Sequence, residues 1–260
     1  MLDRLTAPTT PGLFITGTDT GVGKTVIACA IAHALRIQRP QAGVAVLKPF
    51  ATGCRKERGG LVNDDAEALA HFADCRLPLD VINPIRFRAP LAPAVAAEQL
   101  GRPIDVELLD SALRQADAYG DALIIEGAGG AMVPLSPEHP RLTWLDTRGF
   151  GLPAVVVARP NLGTLSHTAM TVKVLRDAGI KVAGVVVNGY EPDEAVAMAD
   201  DPSRPDNPRW IAKMTGAKLL ALVPRVAADR VQPQQGEIAP SVLDVVAAAA
   251  DWWRVLGTGV

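Results

Sequence analysis

The chain has 260 residues, of which 48% are hydrophobic and 21% charged, with 23 glycines, 21 prolines and a formal net charge of −2. Such a composition fits one large α/β unit with a buried core and excludes a disordered or collagen-like chain. The near-neutral balance gives no global field toward nucleic acid or an anionic membrane. The cysteines Cys29, Cys54 and Cys75 lack any CxxC or Cys/His zinc spacing, which fits a reducing cytoplasm without structural metal.

The first stretch, Met1 to Pro11, carries Asp3 and Arg4 and no apolar core, so a signal peptide is not expected. The apolar runs are too short for a bilayer, which takes about 20 residues. Short β-branched runs then alternate with segments of helical period, the pattern of βαβ units. Strands are predicted at Gly12 to Thr16, Val44 to Lys48, Ala122 to Glu126, Ala154 to Ala158, Val182 to Asn188 and Leu219 to Val223. Helices are predicted at Gly23 to Arg39, Asp64 to Ala73, Val106 to Ala118, Ser166 to Asp177 and Pro240 to Leu256. Glu191 to Pro208, rich in Pro, Asp and Glu, reads as an exposed connection. Trp252 and Trp253 read as part of a packed helix and not a membrane anchor. The expected architecture is a single P-loop NTPase-type α/β domain over residues 1–260, with a mostly parallel central sheet and helices on both faces.

Ligands in such sheets bind at the carboxyl ends of the strands, where Lys48, Glu126 and Asn188 fall. The segment GTDTGVGKT, Gly17 to Thr25, follows an apolar strand and opens a helix. Gly21 and Gly23 allow backbone N–H groups to converge, the helix start adds a positive dipole end, Lys24 adds a full charge, and the Thr25 hydroxyl suits Mg2+. Five residues, not four, separate Gly17 from Gly23, so the generic phosphate-loop expression is missed by one position. Glu126 ends the run ALIIE before GAGG, a Walker-B-like placement of a carboxylate. Asp64 and Asp65 open a helix; each suits an N-cap or a metal ligand. Lys48, followed by Pro49 with Thr52 and Gly53 beyond, is a strand-end lysine facing the same edge.

In order, GTDTGVGKT, KPFATG, NDDAEAL, APLAPAVAAE, EGAGGAMVPL, NLGTLSHT and the VVVNG strand end resemble the dethiobiotin synthetases, over about Phe14 to Val226. The longer phosphate loop is that family's own pattern. The resemblance implies a cytoplasmic, homodimeric ligase that turns 7,8-diaminononanoate, CO2 and ATP into dethiobiotin, ADP and phosphate, with Mg2+ as cofactor. It implies Thr25, Asp65 and Glu126 as metal ligands, which leaves Asp64 for the cap, and Lys24 and Lys48 as catalytic lysines. It places the nucleotide against Gly21, Val22, Gly23, Lys24, Thr25, Val26, Gly127, Ala128 and Gly129, with adenine near Asn188, Gly189, Pro224, Arg225 and Val226. Thr52 would face the substrate, whose carboxylate would sit at the subunit interface on Gly163, Thr164, Leu165 and Ser166; many members carry Asn where this chain has Ser166. His167 fits a packed or partly exposed histidine as well as a catalytic one.

Two other readings share the fold. A corrinoid-pathway amidoligase would usually carry a glutamine-hydrolysing domain, for which 260 residues leave no room. A partitioning or septum-positioning ATPase would carry a lysine five residues before the phosphate-loop lysine, where this chain has Asp19.

Overall fold

The computed structural model describes residues 5–257; the Met1 to Arg4 part of the first stretch lies outside them. Among the described residues six strands form the central sheet: β1 (Gly12–Gly17), β2 (Val44–Leu47), β3 (Ala122–Glu126), β4 (Ala154–Ala158), β5 (Val182–Tyr190) and β6 (Leu219–Pro224). Their spatial order is β6-β5-β4-β1-β3-β2. Every neighbouring pair is parallel, as in Ile15 opposite both Glu126 and Val155. All six carboxyl ends therefore open on one edge.

The strands are apolar up to their carboxyl ends because both faces are covered. Leu13, Ile15, Val44, Val46, Ala122 and Ile124 point into one core with helices α1 (Lys24–Gln38) and α2 (Asp64–Ala73). Phe14, Ala45, Leu47, Leu123 and Ile125 point into the other. Chain order adds α3 (Leu79–Ile82), α4 (Pro93–Gln99), α5 (Val106–Asp117), α6 (Thr164–Asp177), α7 (Glu194–Asp200), α8 (Asn207–Thr215), α9 (Pro240–Ala249) and α10 (Trp252–Gly257). The second core takes its helical share from α5, α6 and α8 through Leu113, Leu175 and Ile211. Among the described residues no helix is long and apolar enough to cross a membrane.

Four expectations are corrected. Neither Asp64 nor Asp65 caps α2: Asn63, in extended backbone, accepts a hydrogen bond from the Ala66 N–H at 3.2 Å, and Asp64 pairs with Arg55. The helix expected from Ser166 begins at Thr164, behind Gly163 at φ +91°. The stretch Glu191 to Pro208 is largely exposed, as expected, but is built of helices and not a bare connection. It holds α7, capped by the Asp193 carboxylate on the Ala195 and Val196 N–H groups, and the start of α8 with Pro208 in its first turn. Pro240 to Leu256 is two helices, because Ala250 is extended (φ −156°, ψ 156°) between α9 and α10. The two tryptophans are packed as expected: Trp252 and Trp253 are buried and donate from Nε1 to the carbonyls of Val246 and Leu35.

Candidate active site at the carboxyl edge of the sheet

β1 delivers the chain into the loop Thr18 to Gly23, which turns into α1. Gly23 sits at φ +91° directly before Lys24, a left-handed conformation that disfavours a side chain. Lys24 is buried, and its Nζ donates to the Asp19 carbonyl at 2.9 Å, so the ammonium is folded back over the loop. Burial pulls its pKa below the ordinary lysine value, with nearby Lys48 adding to the effect and Glu126 opposing it.

β2 ends one residue before Lys48, whose backbone is clamped on both sides. Its N–H donates to the Ile82 carbonyl at 2.7 Å, and its carbonyl accepts from Asn83 Nδ2 at 2.6 Å. The turn after α3 thus sets where this side chain starts. Asn83 is buried and was not legible as a site residue: an Asn before Pro84 reads simply as a turn.

The lysine ends between two carboxylates. Its Nζ lies 2.7 Å from Asp65 Oδ2, in the first turn of α2, and 2.7 Å from Glu126 Oε1 at the end of β3. Thr25 Oγ1 donates to the same Glu126 oxygen at 2.7 Å. Burial alone would lower the Lys48 pKa; the charges of Glu126 and Asp65 reverse this and hold the ammonium protonated well above its ordinary value. Burial would likewise raise the Asp65 carboxyl, and Lys48 brings it below the ordinary range. Glu126 is fully buried, and its second oxygen, Oε2, has no hydrogen-bond partner among the described residues.

The loop after β3 is held from beneath by a residue that sequence reasoning did not single out. Trp144 opens a 3₁₀ turn capped by Thr143 and Asp146, after which the chain kinks through the left-handed residues Arg148, Gly149 and Phe150; Trp144 donates from Nε1 to the Ala128 carbonyl at 2.7 Å. Its ring packs against Phe14 and Phe50 at 5.6 and 5.5 Å. The Thr-x-x-Asp capping spacing was the available signal.

Thr20, Gly21, Gly23, Lys24, Thr25, Val26, Lys48, Thr52, Asp65, Glu126, Ala128 and Gly129 converge on one cleft of about 410 Å3, which Pro233 also borders. Gly127 is packed against Phe14 and Trp144 behind it. Asn188 and Gly189 lie on β5 beside Pro224 of β6, with Val223 opposite Asn188, and the Arg225 N–H donates to the Tyr190 carbonyl at 2.8 Å. Val226 packs on the first core. These residues form one neighbourhood flanking the phosphate loop, which Asn188 touches through Val22. Gly163 to Ser166 do not line the cleft; Thr164 is buried, its hydroxyl 3.3 Å from that of Thr168, whereas Ser166 and His167 are exposed. A larger hollow, about 540 Å3, lies at the amino ends of β5 and β6, around Val182 and Lys218, far from every carboxylate of the cleft.

A strand-to-helix loop of converging amides with a lysine, facing one carboxylate at a strand end and one in the first turn of a helix, defines a P-loop nucleotide-utilising α/β protein. Residues 11–229 match the family model described as an AAA domain. A chain of the MinC:MinD cell division protein complex of Aquifex aeolicus superimposes with a TM-score of 0.56 at 14% identity, over 96% of this chain and 98% of that one. The MinD of Pyrococcus horikoshii, solved with Mg-ADP, gives 0.54 at 18% identity, over 93% of this chain and 94% of that one. Likenesses at such identity establish the fold alone.

Sequence relatives are nearer. ATP-dependent dethiobiotin synthetase BioD of Anaeromyxobacter sp. (strain K) is 43% identical over 217 residues, covering 82% of this chain and 89% of the relative. That of Bacillus subtilis (strain 168) is 34% identical over 216 residues, covering 83% and 88%. The chain belongs to the dethiobiotin synthetase family.

Proposed function

We propose that this chain carboxylates 7,8-diaminononanoate with CO2 and closes the ureido ring at the expense of ATP, releasing dethiobiotin, ADP and phosphate. The observation that carries the reading is Lys48, buried between Asp65 and Glu126 at the mouth of the phosphate loop, in a chain of this family. Mg2+ fits the same corner. Thr25, Asp65 and Glu126 are hard oxygen donors, the buried Oε2 of Glu126 lacks a partner among the described residues, and a metal that keeps waters and phosphate oxygens needs only a few protein ligands. When bound, the ion neutralises charge on the phosphates.

An unprotonated amine of the substrate adds to CO2 and gives up a proton, leaving a carbamate. A carbamate oxygen attacks the γ-phosphorus of ATP and the bond to the ADP oxygen breaks. The neighbouring amine then attacks the carbonyl carbon, loses a proton and expels phosphate as the ring closes. Lys24 and the loop amides hold the phosphates, Lys48 sets its charge beside the transferred group, and Thr52 faces the substrate.

Asn188 and the Pro224 to Val226 segment take adenine; Gly189 and Tyr190 follow Asn188, with no NKxD guanine signature. The working form is a cytoplasmic homodimer in which Gly163 to Ser166 of one subunit hold the substrate carboxylate on backbone N–H groups at the start of α6. Their position outside their own cleft supports that reading. Against a MinD-like switch stands Asp19, which replaces the signature lysine and pairs with Arg159 at 2.8 Å.

This chemistry has an isotopic signature. The carbamate oxygen that attacks phosphorus stays with phosphate when the ring closes, so freshly dissolved C18O2 should deliver one 18O into each phosphate released, read by mass spectrometry within a single turnover. Phosphate free of label, with dethiobiotin formed, would rule out the carbamic-phosphoric anhydride.

A further inference from the structure

Asn188 Nδ2 donates to the Val22 carbonyl at 3.0 Å, across 166 residues of sequence. The acceptor is a carbonyl, so the amide orientation is set: nitrogen toward the loop. The same nitrogen explains a second feature. A Cβ built on Gly23 would lie 2.0 Å from Asn188 Nδ2 and 3.2 Å from its Cγ. Real Cβ atoms never come that close, so the helix start and the amide are packed in direct contact, apart from the requirement of Gly23 for φ +91°.

We propose that Asn188 is a positioning residue for the phosphate loop, tying the Val22 carbonyl to β5 so that base recognition and phosphate binding share one side chain. The inference rests on the ATP reading of the cleft above and adds a role to it. A primary amide carries two N–H hydrogens and one acceptor oxygen. Val22 takes one hydrogen. The remaining N–H and Oδ1 form the donor–acceptor pair that matches the N7 and N6 edge of adenine. A group that only read the base would have no bearing on ligands that lack one; a group that also holds the loop does.

The loop has other anchors, which is why the effect is partial. The Thr18 N–H donates to Val157 at the end of β4, and the Val22 side chain is buried against the first core. Between Thr18 and Lys24 the loop must still present its amides at one point, and the Val22 peptide is the one Asn188 holds. Aspartate at 188 would offer the carbonyl no donor and set a negative charge against it, so N188D should be worse than N188A.

The test titrates wild type, N188A and N188D with Mg-ADP and with Mg-tripolyphosphate, a phosphate chain with no base, by displacement of a fluorescent ADP analogue. N188A should bind tripolyphosphate about fivefold more weakly, the worth of one neutral hydrogen bond, and ADP more weakly still. Tripolyphosphate bound equally by all three proteins, with ADP weakened, would overturn the proposal and leave Asn188 reading the base alone. A wild type that binds neither ligand would instead sink the ATP reading of the cleft, and this inference with it. Hydrogen exchange of the nucleotide-free protein needs no ligand: amides of residues 18–24 should exchange faster in N188A while those of β1 are unchanged. Unaltered exchange in that segment would also overturn the tether.

Discussion

Lys48→Ala should lose at least about a hundredfold in turnover and also unfold more readily, by about 3–5 kcal/mol at neutral pH, because it strips the counter-cation from a carboxylate that cannot reach water. Glu126 is 1% exposed at its side chain and Lys48 5%, so solvent screening does not soften the loss. The pH dependence has a definite sign. Burial already raises Glu126 above its ordinary 4.5, opposed by Lys48; without the lysine it rises further. An acid whose folded pKa is raised gives stability that is fully present below the unfolded value and is lost as pH rises through the folded one. Asp65 works in the same direction on the comparison. Its pKa in the wild type is held below the ordinary 3.8 by Lys48, so its stabilisation is present above that value and fades as the wild type is acidified. The gap between variant and wild type should therefore be smallest near pH 4 and widest at neutral pH, in denaturant melts with chelator and no nucleotide. Equal stability at pH 8 would mean that the ion pair contributes nothing.

Lys24→Ala should show the opposite separation, with a loss of about a hundredfold or more in the single-turnover rate at saturating Mg-ATP and no loss of folding stability. The ammonium donates to the Asp19 carbonyl, and burial lowers its pKa; the attraction of Glu126 and Asp65 does not offset that burial and the repulsion of Lys48. Removing it takes a costly charge out of the fold while deleting the group that meets the phosphates. A hundredfold corresponds to about 2.7 kcal/mol of transition-state stabilisation, in the range of a single preorganised donor. Turnover near the wild-type rate would remove Lys24 from the chemistry. A fall in stability matching that of Lys48→Ala would show that the two lysines do the same structural work.

The sheet was legible because each of its strands is a continuous or near-continuous apolar run, and the residues that matter stand where those runs stop: Lys48, Glu126 and Asn188. Strand order was not legible, since nothing local in Val44–Leu47 says that it lies at the edge beyond β3. The α2 cap was misassigned because Asn63, Asp64 and Asp65 are all good caps; only the backbone tells which one is extended. The α7 and α8 segment was hidden by composition, although Asp193 before Glu194 and Pro208 after Asn207 are both start signals. Within the site, charged groups at strand ends could be read, whereas the groups that hold them could not. Asn83 under Lys48 and Trp144 under Ala128 act through backbone carbonyls, and a carbonyl leaves no trace in a sequence.

Coupling of ATP cleavage to ring closure is read by following phosphate and dethiobiotin together, with Mg2+, ATP and bicarbonate, in the presence and absence of 7,8-diaminononanoate. One dethiobiotin is expected per phosphate, with almost no phosphate without the diamine. Hydrolysis indifferent to the diamine, with no dethiobiotin formed, would contradict that coupling and leave only a P-loop ATPase.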